Sequence, residues 1–455
     1  MAKYESFHKI PNHVKQKSEH YFTNVGGNVF VIRNLPPEMT GAVLARYSRT
    51  PYDIQTTFAN EFLDENGEPN QEKGSQLVQR VVNDYGDESV AELEVTSVGM
   101  QKITQLMTKE IEDRRIGGSP IEKSTRYVKC DEKDENGKFL YYRPQEVIDA
   151  GLLPLYEATN DEAFTIYSEG IPVVMDYYRK VIPESEFTIR VPREKSLVSV
   201  KKSELQNDNE SREFRNAYNF TIKCAALDVI RCVLPSSAYT QLGVTANGRY
   251  FTNLLTHLRS CGLAEGEQLA EDLLTELNKQ MPVFVKKNKV NSYLMDNHRN
   301  MREIASSLFA NTTPRTDAVT LVSKSDGIDG TLNELLGSAL FPYTDVSLQQ
   351  IIAEVESMPH EKKMHILKTY VGNRESRKDR TGRGLEAGYP ITFDLVGGFA
   401  EYRDLERHRM LTQQRQLLTT ELGFIIPPVV EEVGLAGKVE EIAGKMNHLN
   451  SELRK

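Results

Sequence analysis

The chain reads as a mixed α and β protein, rich in helix. Three observations predict this. Apolar residues recur at helical spacing over long segments, and shorter β-branched runs look extended. Asn136-Gly137 also separates two strand-like runs, as a tight hairpin turn does.

Val29-Phe30-Val31-Ile32 predicts a strand within an extended first stretch, residues 1–35. Pro36-Pro37-Glu38 then opens a helix toward Arg46, because proline suits a first helical turn. Residues 61–73 read as a polar loop, and helical periodicity returns at Leu77, Val81 and Val82. From Ala91 to Arg115 the apolar residues Met100, Ile103, Leu106, Met107 and Ile111 predict one long helix. The hairpin at Asn136-Gly137 is flanked by charges and should project into solvent. Residues 154–180 read helical, and residues 196–213 read as an exposed insertion. Ala225 to Leu234 predicts a buried helix stopped by Pro235, with further helices at 248–260 and 265–280. Residues 311–332, rich in Thr, Ser, Asp and Gly, are the expected linker. Beyond it helices are expected at 347–370, 393–409 and 440–454, and Phe424–Pro428 should be extended.

With 455 residues, about three domains at roughly 150 residues each are expected. A chain of this length buries about three quarters of its unfolded surface, so it needs no disulfide or metal staple. The formal net charge of −9 argues against nonspecific nucleic-acid binding but leaves room for local basic pockets. No run approaches the ~18 apolar residues of a membrane span, and Met1-Ala2-Lys3-Tyr4-Glu5 carries no apolar leader. A cytoplasmic location is the expectation. Cys130, Cys224, Cys232 and Cys261 form no C-x-x-C pair and read as reduced, mostly buried thiols.

The chain also carries an internal echo. Glu92 stands 21 residues before Asp113-Arg114-Arg115, as Glu386 does before Arg407-His408-Arg409, at an offset of 294 residues. Ala45 to Thr50 falls on Ala339 to Thr344 at the same offset. If this is a tandem duplication, the second copy is short, with 46 residues after Arg409.

The common catalytic signatures fail. Gly382-x-Gly384-x-x-Ala387 follows no strand of a βαβ unit, and Gly437-Lys438 lacks the upstream glycine of a phosphate loop. His360 and His365 are five residues apart, too far to share the helix face that a zinc motif needs. Arginines beside small polar residues remain: Glu122-Lys123-Ser124-Thr125-Arg126-Tyr127, Arg231-Cys232-Val233-Leu234-Pro235, Asn247-Gly248-Arg249 with Asn253 and Arg259, and Arg407-His408-Arg409. A guanidinium binds phosphate bidentately and stays charged at any working pH. Asn offers donor and acceptor to a heterocycle edge. The residues by themselves point to an anionic, nucleotide-like ligand. Solvated or ion-paired arginines are the alternative.

The same segments resemble the flavin-dependent thymidylate synthases, the thymidylate synthase-complementing family. Leu44-Ala45-Arg46-Tyr47-Ser48 is similar to the family's Ala-Arg-x-Ser segment, and Gly86-Asp87-Glu88-Ser89-Val90-Ala91-Glu92 to its Gly-His-Glu-Ser-x-x-Glu stretch. Glu122 to Tyr127 resembles the Glu-x-Ser-x-Arg-Tyr end of its signature. Arg231 to Pro235 resembles Arg-x-x-Leu-Pro, and Asn247 to Asn253 resembles Asn-x-Arg-x-x-x-Asn. All five stand in family order over roughly residues 40–285. The departures are Asp113 for the first Arg of Arg-His-Arg, one extra residue before Ser124, Asp87 for His, and Leu263 for a later His. The second half keeps Arg407-His408-Arg409 but has Leu417, Leu418 and Thr419 where Ser-x-Arg would follow.

The resemblance implies an α+β fold of long helices packed on a mostly antiparallel sheet, in two tandem copies. The expected division is 1–310, a linker at 311–332, and an incomplete copy at 333–455. It implies reductive methylation of dUMP to dTMP with FAD as cofactor and NADPH and methylenetetrahydrofolate as co-substrates. Ser124 and Arg126 would be catalytic, and dUMP would touch Glu122, Ser124, Arg126, Arg231 and Arg259. FAD would touch Ser48, Glu88, Asn247, Arg249, Asn253, Arg407, His408 and Arg409. Family sites are assembled from several subunits of a homotetramer, so a homo-oligomer is expected: a dimer of duplicated chains forming a pseudo-tetramer. In that arrangement Arg407-His408-Arg409 would complete the first half. Two alternatives stay open: the same scaffold acting on another pyrimidine nucleotide or base, and a catalytically silent nucleotide-binding relative.

Overall fold

The computed structural model describes residues 9–25, 28–64, 66–80, 88–114, 116–193, 196–286, 288–293, 295–296, 299, 317–323, 327–340, 348–371, 385, 391–411, 413, 418 and 420–455. The chain forms two compact units. One joins residues 1–312 to 398–455, and the other is 313–397.

The larger unit is built on a three-stranded antiparallel sheet of β1 (Val95–Thr104), β2 (Gly118–Glu122) and, between them, β5 (Tyr239–Asn247). β5 alternates as a half-covered strand must: Thr240, Leu242, Val244 and Ala246 are buried while Gln241 and Thr245 face outward. Its inward face meets α5 (Gln105–Glu112) and α9 (Gly248–Leu258) in one apolar core, which α10 (Ala264–Leu277) closes. α9 belongs there by spacing, since Tyr250, Phe251, Leu254, Leu255 and Leu258 share one stripe.

The expected helix from Ala91 to Arg115 is two elements. Val95–Thr104 is strand, and the helix begins only at Gln105. Thr104 makes the break: its Oγ1 accepts the amide of Met107 at 2.9 Å, capping α5. Met100 and Ile103 on the strand and Met107 and Ile111 on the helix all enter one core, so their spacing mimics a single helix.

A second core joins α7 (Leu153–Val181) and α8 (Asp208–Ile230), and the C-terminal helix Ala436–Leu453 adds Val439, Ile442 and Leu449 to it. A third gathers the N-terminal helices, among them α2 (Pro37–Tyr47) and α3 (Ile54–Glu61), around Phe22, Phe58 and Phe62. The stretch expected to be a strand near Val29 makes one isolated bridge, Phe22 to Ile32. The expected exposed insertion contains strand β4 (Ser196–Lys201), paired with β3 (Thr188–Arg193), and then the start of α8. At Asn136-Gly137 the turn forms, with Gly137 at φ +77° and Asp134 Oδ1 accepting the amides of Asn136 and Lys138.

The smaller unit pairs β6 (Val319–Ser323) with β7 (Thr392–Leu395) and packs helices Gly327–Leu340, Leu348–Ser357 and His360–Val371 around Leu336 and Val355. The expected linker at 311–332 therefore carries a strand and the start of a helix. The expected helix at 347–370 is interrupted at Pro359, and that at 393–409 is a strand followed by helix Phe399–Leu405. The expected boundary at 333 also departs from the observed division, because residues 398–455 pack into the larger unit.

One buried group conflicts with its surroundings. Glu94 is fully buried, and neither carboxyl oxygen has a hydrogen-bond partner. Burial, and then the charge of Glu38, pushes its pKa up to about 9. Across the interval from its ordinary value of 4.5 to about 9, the folded chain holds a proton that the unfolded chain lacks. Folding stability must therefore fall as pH rises from 5 to 9, at up to about 1.4 kcal/mol per pH unit from this group. Urea denaturation at a series of pH values should show the decline in wild type and a flatter profile in Glu94→Gln. Equal slopes would mean that Glu94 titrates normally.

Candidate functional site

β2 delivers Glu122 to the edge of the larger unit's sheet, and the chain then turns. The carbonyl of Ser124 accepts the amides of Tyr127 and Val128 at 3.2 and 3.0 Å, and the Lys123 amide ties the turn to Gln241 of β5 at 2.9 Å. This tight turn sets Ser124, Thr125 and Arg126 side by side. Arg231 arrives from the end of α8, where a 3₁₀ turn, Arg231–Val233, precedes Pro235. The third contributor is α15 (Phe399–Leu405) with the turn that follows it through Arg409. It brings Arg403, Asp404 and Arg407.

These segments enclose one narrow polar pocket lined by Glu122 to Arg126, Arg231, Arg403, Asp404 and Arg407. Asp404 is its hub. Arg231 Nη2 donates to Asp404 Oδ2 at 3.1 Å and Arg407 Nη2 to Oδ1 at 2.6 Å, while Arg126 Nη2 stands 3.6 Å from Oδ1. Burial alone would raise the Asp404 pKa, but the hydrogen bonds from Arg231 and Arg407 and the charges of Arg231 and Arg126 outweigh it and hold the group below the ordinary carboxylate range. Arg231, 9% exposed, also pairs with Asp228 at 2.8 Å.

Beneath the pocket lies a buried ion cluster. Arg403 Nη2 donates to Glu122 Oε1 at 2.6 Å, with the two side chains 6% and 5% exposed. Arg403 Nη1 donates to Gln105 Oε1 at 2.9 Å and to Thr125 Oγ1 at 3.2 Å. Lys109, also buried, pairs with Glu406 and stands 3.6 Å from Glu112. Burial drives the Lys109 ammonium down to about 8 against the pull of Glu112 and Glu122, and Arg403 adds to the fall. Burial likewise raises Glu112. Two cations here, Arg403 and Lys109, face three carboxylates, Glu112, Glu122 and Glu406.

An open groove of about 370 Å³ adjoins the pocket on the outer face of the sheet. Glu122 and Lys123 border both. Gly99 and Gly243 keep its floor low: a Cβ on Gly243 would press within 3.2 Å of Ile121 Cγ2.

The structure thus gathers Glu122, Ser124, Arg126, Arg231 and Arg407. Arg409 lies close by, its Nη1 donating to the Gly118 carbonyl at 2.7 Å. Asn247 reaches the neighbouring residue, donating its amide N–H to the Gly117 carbonyl at 3.1 Å. Its side-chain Oδ1 caps α9 by accepting the amide of Tyr250, a structural use. Arg249, half exposed, pairs with Glu92, and Asn253 is exposed one turn further along α9. Ser48 is exposed and donates to the Ala45 carbonyl, and His408 is exposed. Glu88 opens a 3₁₀ turn, but its side chain lies outside the described residues. Arg259 does not join the pocket within the chain: it sits at the far end of α9, bonded to Glu271 at 2.8 Å. Of the degenerate triplet, Arg114 donates to His257 Nδ1 at 3.1 Å, Asp113 caps α5, and Arg115 lies outside the described residues.

Sequence reasoning missed Arg403, Asp404, Lys109 and Glu406. One signal existed for the first pair: Arg403 and Arg407 are one helical turn apart with Asp404 between them.

The family model described as thymidylate synthase complementing protein matches residues 31–283. A UPF0159 protein of Chlamydia pneumoniae is 33% identical over 460 residues, covering 96% of this chain and 81% of its own length. A UPF0159 protein of Thermoplasma acidophilum is 29% identical over 398 residues, covering 86% and 76%. Among solved structures, flavin-dependent thymidylate synthase ThyX from Helicobacter pylori, complexed with FAD and dUMP, is 17% identical over 56% of this chain and 96% of its own, with a TM-score of 0.29. The UMP/dUMP methylase PolB from Streptomyces cacaoi is 16% identical over 55% and 88%, with a TM-score of 0.32.

The Arg403–Glu122 pair makes a prediction of its own. Removing one member strands a buried charge, so Arg403→Leu should cost about 3–5 kcal/mol in guanidinium titrations. Adding Glu122→Leu should restore more than half of that loss. Simply additive losses would show that the pair is not coupled.

Proposed function

The chain belongs to the thymidylate synthase complementing protein family, and on that premise we propose that it is a flavin-dependent thymidylate synthase acting on dUMP. One observation carries the reading. Ser124, Arg126 and Arg231, from segments far apart in sequence, converge on one pocket with Arg407. Guanidinium groups so placed suit a phosphate ester.

In this proposal Arg231 neutralises the 5′-phosphate. Arg126 stands by the uracil and stabilises negative charge on its ring as C5 becomes nucleophilic. Ser124 orients the base by hydrogen bonding and forms no covalent bond to it. The adjoining groove has room for a flat heterocycle.

The residues present suit FAD. Arg249 is half exposed on a carboxylate that a pyrophosphate could replace, Asn253 follows on the same face of α9, and Arg409 stands at Gly118. Arg249, Asn253, Arg409 and Ser48 would hold the cofactor. When bound, FAD would relay the two electrons of NADPH that turn the methylene carbon of methylenetetrahydrofolate into a methyl group. A homo-oligomer is part of the proposal, which gives Arg259 a site across a subunit contact rather than within its own chain.

The test is the visible spectrum of protein incubated with FAD and desalted. A retained flavin band that shifts when dUMP is added is expected. Arg231→Ala should keep the band but need at least about tenfold more dUMP for the shift. Arg409→Ala should lose flavin. A folded chain that retains no flavin would overturn the reading.

A further inference from the structure

The pocket as it stands is closed to the ligand just proposed for it. Its free volume is about 10 Å³. That is about the least that admits one water molecule, far short of a phosphate. What fills it is the chain's own anion. The Asp404 carboxylate uses one oxygen for Arg231 and the other for Arg407, with Arg126 alongside. Three guanidinium groups this close would repel one another without an anion between them. The two neighbouring side chains on α15 differ in a telling way. Arg403 is buried and anchored by Glu122, Gln105 and Thr125, whereas Asp404 is 35% exposed at the pocket's mouth.

We propose that Asp404 is an internal competitor for the nucleotide phosphate and a specificity-determining residue of this site. The proposal rests on the reading of the arginine pocket as a nucleotide site. A ligand enters only by displacing the carboxylate from Arg126, Arg231 and Arg407. A phosphate monoester can do so because it brings a second charge and three acceptor oxygens to the same donors. A nucleoside, which has no anion to offer, leaves Asp404 where it is. Arg403 keeps α15 docked while Asp404 swings outward, so the exchange needs a change of rotamer and not the release of the helix.

The experiment uses the full chain and calorimetric titration with three probes: dUMP, deoxyuridine and inorganic phosphate. Wild type is compared with Asp404→Asn and Asp404→Ser, each checked by its melting temperature. Both variants should bind dUMP and phosphate about ten- to a hundredfold more tightly than wild type, with deoxyuridine unchanged. If dUMP binds wild type and variants alike, the nucleotide reading survives and the competitor does not. If the variants gain affinity for phosphate but hold dUMP no better than phosphate, the competitor stands and the nucleotide reading falls. If no probe binds any of the three proteins, both fall. Hydrogen exchange of wild type serves should the variants misfold. Saturating dUMP should slow exchange at 122–128 and leave it unchanged at 399–409, where α15 stays docked, and slower exchange in both segments would refute displacement.

Discussion

A buried arginine, Arg403, holds the site together. Its guanidinium bonds to Glu122, Gln105 and Thr125 and so links β2, α5 and the Ser124 turn to a segment nearly three hundred residues away in sequence. Desolvating such a charge costs several kcal/mol, and it is tolerated only when nearly every donor finds a partner. That requirement fixes α15 in one place. The neighbouring Lys109–Glu406 pair repeats the constraint a turn away. Arg407 and Arg409 then have little choice of position: one faces Arg126 across Asp404 and the other meets Gly118.

The sheet supplies the complementary rigidity. β5 is bonded on both edges, and its last residue, Asn247, is also the cap of α9. Strand and helix therefore share a joint that cannot slip without exposing Leu242 and Val244. Because β2 is paired to β5, Glu122 and the turn after it inherit that precision. The arginine pocket sits where a stiff sheet edge, a helix end and a charged helix meet.

Much of this could be read from residues alone, and the failures have physical causes. The helices at 153–181 and 248–258 were legible from apolar periodicity, and the Glu122–Tyr127 segment and the arginine before Leu234-Pro235 from their resemblance to family motifs. β1 was not, because Met100 and Ile103 bury into the same core as Met107 and Ile111, and periodicity cannot tell one element from two when both face one core. Polar composition near residue 320 suggested a linker, yet Val319–Ser323 finds a partner strand some seventy residues later, a long-range pairing with no local signature. Arg403 and Asp404 were hidden among charges that look solvated. Their placement depends on Glu122 and on Arg231, which sequence distance conceals. Arg259 was placed by analogy, and the fold sends it to the opposite end of α9 from Arg249.

The larger unit is interrupted: residues 313–397 form a separate compact unit between its two parts in sequence. During synthesis, therefore, the two members of the buried Arg403–Glu122 pair are not made together, nor are Lys109 and Glu406. Glu122 leaves the ribosome 281 residues before Arg403, a delay of tens of seconds at about 5–20 residues per second. Until then Glu122 and Glu112 lack their distal partners, and Val439, Ile442 and Leu449 have yet to cover Phe164 and its neighbours. The polar seam between β2, α5 and α15 closes only after the intervening unit has emerged. Vectorial synthesis thus makes the site one of the last regions of this protein to be buried.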